Sequence, residues 1–130
     1  MKFQPDTLDG VNVITRQESG RLWVGKTPFT HSVLVPWVGA VQAWEPARLE
    51  DLQARHFECL VALRPEVVIF GSGPRLRFAP PALMRALIEQ RVGVETMDTA
   101  AACRTYNVLA AEGRSVVAAL LLQTGLPAST

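Results

Sequence analysis

The sequence predicts an α/β fold carrying an additional antiparallel β-layer, and three observations predict it. Downstream of Pro65 the chain reads strand, helix, strand, helix, strand, an order that argues for adjacent strands joined by a right-handed parallel crossover. Glu66-Val67-Val68-Ile69-Phe70 is a continuous β-branched and aromatic run between Pro65 and Gly71, the pattern of a central strand buried on both faces. The first third is β-rich, with turn residues at hairpin spacing.

Taken in order, Val11-Asn12-Val13-Ile14 and Leu22-Trp23-Val24 flank the turn residues Glu18-Ser19-Gly20-Arg21 and predict a hairpin. Phe29 to Pro36 is a third β-rich run, ended by a proline that cannot donate to a ladder. These three antiparallel strands should cover one side of the α/β half. Trp37 to Pro46 connects to a helical region in which Leu49, Leu52, His56, Cys59, Leu60 and Leu63 recur three or four apart. After the central strand, Pro80-Pro81 opens a helix with Leu83, Met84, Leu87, Ile88 and Val92 on one face, closed by Gly93. Val94 to Met97 is a short strand. Asp98 or Thr99 caps a helix from Ala100 to Glu112, with Gly113 as its left-handed stop, and Ser115 to Leu122 is the last strand. The residues from 123 to 130 should form a frayed tail.

Composition narrows the function classes. The chain has 130 residues, 48% of them apolar, and a formal net charge of +1, which fits a single domain spanning 1–130 and lacks the basic excess of a nucleic-acid binder. Arginine outnumbers lysine eleven to two, so the place of each planar, fork-shaped cation matters. Cys59 and Cys103 are too few for a disulfide framework. No secretory leader is visible at the start, and Val116 to Leu122 is the longest candidate apolar stretch, far short of the roughly 20 residues that span a bilayer. A cytoplasmic protein with no membrane insertion is expected.

In open α/β sheets ligands bind beyond the carboxyl ends of the strands, and two loops emerge there. The first is Gly71-Ser72-Gly73-Pro74-Arg75-Leu76-Arg77-Phe78. Its glycines permit positive φ or close backbone approach, and Arg75 and Arg77 share a side if the segment is extended. An anion would suit that set; so would a purely structural turn. Neither a dinucleotide fingerprint nor a phosphate-binding loop is present, because the third glycine and the Lys-Ser or Lys-Thr pair are missing. The second loop begins at Asp98 and Thr99 and leads into Cys103, Arg104 and Asn107, with Asn107 one turn from both Cys103 and Arg104. Asn107 has low helix propensity and should reach a backbone group, for which the Gly71 to Gly73 loop is the expected partner. Gly71, Ser72, Gly73, Arg75, Arg77, Asp98, Thr99, Arg104 and Asn107 thus form the candidate ligand or partner surface.

Catalysis finds little support. Ser72 lacks the outer spacing of Gly-x-Ser-x-Gly, and His31 and His56 lie far upstream. Cys103 beside Arg104 is either a reactive thiol or a small buried hydrophobe. His56 and Cys59 could share a metal only with ligands from elsewhere. No cofactor, metal or catalytic residue is assigned, and the balance leans away from an enzyme. Trp23, Trp37 and Trp44 are core plugs or interface anchors, and an exposed edge strand in the N-terminal third would offer a template for another chain or a second copy.

Val68-Ile69-Phe70-Gly71-Ser72-Gly73, then Arg75-Leu76-Arg77-Phe78 and Pro80, then Gly93 to Thr99, Ala102 to Asn107 and Glu112-Gly113-Arg114 together resemble the Mth-type domain family of unknown function. That family takes in small bacterial and archaeal proteins, an adipogenesis-associated member and a mitochondrial complex I assembly factor. The resemblance covers nearly the whole chain. It implies a single three-layer α/β domain with a central mixed sheet, helices against it and an extra antiparallel β-layer. It implies no activity; its assembly-factor members suggest protein contacts. A small anion or nucleotide at the Gly71 to Arg77 loop and the start of the Asp98 helix is the alternative.

Overall fold

The computed structural model describes residues 10–123; the expected tail at 124–130 lies outside them. The first hairpin joins β1 (Ile14–Glu18) to β2 (Arg21–Val24), with Glu18 opposite Arg21 across a two-residue turn. Gly20 takes φ +74° in that turn, a conformation that favours glycine. β3 (Thr27–Phe29) completes a three-stranded antiparallel sheet in the order β1-β2-β3.

The run expected to continue from Phe29 to Pro36 instead divides. β4 (Val33–Pro36) leaves the small sheet and pairs antiparallel with the last strand of a five-stranded sheet. All four β4 residues are buried, so the strand needs both of its faces covered, which the small hairpin sheet could not provide. β5 (Gln42–Ala43) is a short strand within the stretch read as a connection, and it pairs antiparallel with β4. The region after Ala47 is a 3₁₀ turn at Leu49–Asp51, a short helix α1 (Ala54–Glu58) and a second 3₁₀ turn at Cys59–Leu63.

The α/β half follows the expected order. β6 (Val67–Gly71) leads through a 3₁₀ turn at Pro81–Met84 into α2 (Arg85–Glu89), then β7 (Gly93–Met97), α3 (Thr99–Ala111) and β8 (Val116–Leu120). The strand order is β5-β4-β8-β6-β7, with β6 parallel to both β7 and β8. The sheet is therefore mixed, with the continuous apolar run at its interior. Gly93 does not close α2 as expected. Arg91, at φ +61°, supplies the left-handed residue, and Gly93 is already in β7. Ile88 is 58% exposed and not on the core face. Gly113, at φ +83°, does end α3.

Alternation along β6 sends Val67 and Ile69 to one core and Val68 and Phe70 to the other. On the first face pack Ala102, Cys103, Tyr106 and Ala110 of α3 together with Ile14, Leu22 and Val24 of the small sheet. On the second lie Phe57, Leu60, Met84, Leu87 and Trp44. There the rings of Trp44, Phe57 and Phe70 meet edge to face at centroid separations of 5.6 to 6.1 Å. α2 and α3 thus cover opposite faces, because the chain moves outward from β6 to β7 and then back across β6 to β8.

Candidate functional site

That reversal makes β6 and β7 neighbours whose following loops leave on opposite faces, the arrangement in which α/β sheets form a crevice. Such a cavity is present, with a volume of about 420 Å³. Gly73, Pro74, Asp98 and Thr99 wall it on the sheet side, and Gln17 and Gly20 of the β1-β2 hairpin close it from the other. Asp98 is the only charged residue among the described residues that line it.

The polar groups around this crevice are largely consumed in fastening the strand ends together. Thr99 is buried; its hydroxyl accepts the Gly73 N–H and donates to the Leu121 carbonyl, both at 2.9 Å, while its own N–H donates to the Gly73 carbonyl. Ser72 N–H donates to the Met97 carbonyl and Leu121 N–H to the Gly71 carbonyl. A Cβ on Gly71 would stand 2.9 Å from Leu120 and from the Thr99 hydroxyl, so this glycine is required by close approach, whereas Gly73 is required by its φ of +105°. Asp98 is the N-cap of α3, its carboxylate accepting the Ala101 N–H at 2.8 Å. The Ser72 hydroxyl donates to the Arg75 carbonyl at 2.7 Å and accepts the Arg77 N–H at 3.1 Å, which folds the loop onto itself. The Ser72 hydroxyl is thus committed both as donor and as acceptor.

The side chains expected on one concave surface go separate ways. Gly73, Asp98 and Thr99 reach the cavity, and Gly71 and Ser72 are buried residues of the same strand end. Arg77 pairs with Glu50 at 2.8 Å, on the opposite face of the sheet from α3. Arg75 and Arg104 are exposed, and neither lines the cavity. Asn107 does not hold the glycine loop. Its amide accepts the Ile14 N–H at 2.9 Å and donates to the Ile14 carbonyl at 2.8 Å, so it binds β1 as a neighbouring strand would. The correction is geometric: Asn107 lies two turns along α3 from Thr99, level with the small sheet, and Thr99 at the helix start is the residue that reaches the loop.

α3 fastens the N-terminal segment at two further points. The Tyr106 hydroxyl lies 2.9 Å from the Asn12 carbonyl and 3.1 Å from that of Pro36, and Trp37 donates its indole N–H to the Ala110 carbonyl at 3.1 Å. Burial pushes the Tyr106 phenol well above its ordinary range. Cys103 is buried in the same helix and its thiol is pushed up to about 12 by burial, which outweighs the pull of Arg104. It is the small hydrophobe of the two readings.

His56 is a buried structural histidine. Its Nδ1 accepts the Gln53 N–H at 2.9 Å, so Nε2 carries the proton and donates it to Glu45 at 2.8 Å. The hydrogen bond from His56, with Arg55 alongside, holds the Glu45 carboxyl below its usual range. Cys59 donates its S–H to the His56 carbonyl at 3.1 Å. Neither ring nitrogen is open to a metal, and among the described residues no three His, Cys, Asp or Glu side chains converge.

What sequence reasoning left unassigned lies inside the first loop. Leu76 and Phe78 are 53% and 69% exposed, while Arg77 turns inward to Glu50 and Ala79 is buried. The alternation Leu76-Arg77-Phe78-Ala79 is the signal that could have found them, since an extended segment that commits Arg77 and Ala79 to the protein must turn Leu76 and Phe78 out, while Arg75, in the bend before it, is exposed as well.

Comparison with known proteins places this arrangement among relatives. Residues 14–121 match the family model described as a protein of unknown function (DUF498/DUF598). The bovine NADH dehydrogenase [ubiquinone] 1 alpha subcomplex assembly factor 3 is 33% identical over 108 residues, which cover 82% of this chain and 58% of the relative. The chain thus spans about three-fifths of that relative's length. A crystal structure of a Bordetella parapertussis protein superposes with a TM-score of 0.82 at 39% identity, covering 87% of this chain and 97% of that one. The solution structure of a Mth938-like domain from Bordetella pertussis superposes at 0.77 with 31% identity, covering 98% and 96%. With the match extending from the first strand to the last, the chain belongs to the DUF498/DUF598 family, that of the Mth938-like domains.

Proposed function

We propose that the chain acts by contacting another protein during assembly of a larger complex, and that it does so as one Mth-type domain without chemistry of its own. The observation that carries this reading is the Gly71 to Phe78 loop. The Ser72 hydroxyl and the Arg77 side chain are committed to hydrogen bonds and an ion pair, and what the loop turns outward is two large apolar side chains and Arg75. A loop fixed in advance loses little conformational entropy when it docks, and apolar side chains held in water gain by being covered. The likeness to a protein named as a complex I assembly factor supports the same reading. The cavity at the strand ends supports a ligand less well, since its one charge is the capping carboxylate of Asp98 and no arginine reaches it. No helix among the described residues is long and apolar enough to cross a membrane.

The test is affinity capture from native lysate with the full chain and with the double variant Leu76→Ser, Phe78→Ser. Both positions are exposed, so the variant should fold. A partner recovered in stoichiometric amount by the parent and lost by the variant is the expected result. Recovery of the chain alone, or equal recovery by both, counts against the reading.

A further inference from the structure

We infer that the partner presents an acidic, apolar segment, because the two outward side chains of the loop are accompanied by a group of arginines with no internal partners. This rests on the reading of the loop as a docking surface. Four of the eleven arginines fall between positions 75 and 91, with Glu89 the only acid in that interval. Arg77 is taken by Glu50. Arg75, Arg85 and Arg91 are exposed and enter none of the ion pairs formed among the described residues.

These cations belong to the layer that bears Leu76 and Phe78. Ala79, Met84 and Leu87 anchor the loop, the 3₁₀ turn and α2 in the same core, against the sheet face opposite α3. The large apolar side chains exposed on the loop and α2 are Leu76, Phe78 and Ile88, each more than half exposed, with Arg75 next in sequence to the first and Arg85 one turn from Ile88 on α2. In the same layer Glu45, Glu50 and Asp51 are held in ion pairs with Arg55, Arg77 and Arg48, which leaves Glu58 and Glu89 as the unpaired acids against Arg64, Arg75, Arg85 and Arg91, a positive surplus in a chain that as a whole carries only +1. A second copy of the chain offers the same positive surface and would be repelled in an isologous contact. A segment with apolar side chains flanked by Asp or Glu meets both requirements, filling the space over Leu76 and Phe78 while its carboxylates reach the guanidinium groups at the rim. Rim charges of this kind act mainly on encounter rate and salt dependence, and the two exposed pairs open to Arg75 and Arg85, Arg91 lying at the far end of α2 toward the start of β7, together amount to several-fold in affinity.

The experiment is selection of a random-peptide display library against the full chain, followed by titration of the enriched peptides. It uses the parent, the Leu76→Ser, Phe78→Ser variant, an Arg75→Gln, Arg85→Gln variant, and vesicles of phosphatidylcholine with and without phosphatidylserine. The inference expects peptides that pair aromatic or aliphatic residues with Asp or Glu, bind several-fold more weakly to the arginine variant and weaken as salt is raised. Peptides that need Leu76 and Phe78 but show no acidic bias and ignore the arginine variant overturn the inference and leave the docking loop standing. Enriched peptides indifferent to both variants overturn the docking loop itself. Preference for phosphatidylserine vesicles over every peptide also overturns the inference, by assigning the surface to anionic lipid.

Discussion

Replacing Asn107 by alanine tests how the small sheet is attached. β1 is an edge of its three-stranded sheet, and the Ile14 N–H and carbonyl point away from β2 toward α3, where a single side-chain amide satisfies both, at 2.9 and 2.8 Å. Ile14 is 5% exposed, so water reaches these groups poorly once the amide is gone. A buried donor or acceptor left unmade costs about 1–3 kcal/mol. Two of them, with some access along the partly exposed Asn107 side, come to about 2–4 kcal/mol. Alanine recovers roughly 0.5 kcal/mol through its higher helix propensity, leaving a net loss of about 1.5–3.5 kcal/mol. Urea unfolding followed by circular dichroism measures this as a lower midpoint at unchanged slope. The neighbouring Val108→Ala, at a position 58% exposed, is the control and should fall within about 0.5 kcal/mol of the parent. Equal stabilities for Asn107→Ala and Val108→Ala would show that the amide clamp adds nothing and that apolar packing alone holds β1.

Thr99→Val keeps the shape but strands the Gly73 N–H and the Leu121 carbonyl, for a loss of about 2–4 kcal/mol in the same assay; a loss below about 1 kcal/mol would mean the strand ends do not depend on that hydroxyl. With a thiol reagent such as dithionitrobenzoate at pH 8, Cys59, which is exposed, should react in the native protein, while Cys103, buried and pushed up to about 12, should react only on unfolding. Two fast equivalents in the folded state would contradict the burial of α3. The Glu45 carboxyl is held low in the folded state by His56 and Arg55, so its contribution is present above the ordinary carboxylate range and disappears as pH falls through the folded value. Melting temperatures of the parent and Glu45→Gln should therefore converge on acidification toward pH 3, and a gap that widens instead would reverse the sign.

How much of this was legible before the structure depends on whether the cause is local. The central strand and the Gly113 stop are readable because a few adjacent residues determine each, and the cap is narrowed to Asp98 or Thr99, of which the structure selects Asp98. For the loop glycines the sequence offers close approach or positive φ without saying which applies where; the structure gives close approach at Gly71 and positive φ at Gly73. The division of the Phe29 to Pro36 run was signalled but misread. Val33-Leu34-Val35 does not alternate, and the rule that identified β6 as buried on both faces applies to it equally. Arg91 could not be foreseen, since a nearby glycine is the commoner left-handed residue and here it starts a strand. Asn107 was recognised as a residue in need of a backbone partner, but that partner lies 93 positions away in β1, and no local pattern encodes such a distance.

The same distinction bears on function. A glycine-rich turn at a sheet's carboxyl end and a pair of arginines spaced by one invite an anion when read locally, because sequence spacing says which side chains share a side but not what stands opposite them. Here Glu50, from a 3₁₀ turn twenty-seven positions upstream of Arg77, neutralises the inner arginine, while Thr99 and Asp98 spend the strand-end groups on structure. Once those partners are in place, what the loop still offers to solvent is Leu76, Phe78 and the unpaired Arg75. The glycines and the inner arginine thereby acquire a role that fits a binding protein without being the binding surface: they hold the outward side chains in one conformation. If so, breaking the Arg77–Glu50 pair with Glu50→Gln should weaken partner binding through mobility of residues 75–78, raising their amide exchange, while leaving overall stability within about 0.5 kcal/mol, as expected for an exposed pair. Unchanged exchange at those residues would remove the pair from the argument and leave the Ser72 hydroxyl as the element that fixes the loop.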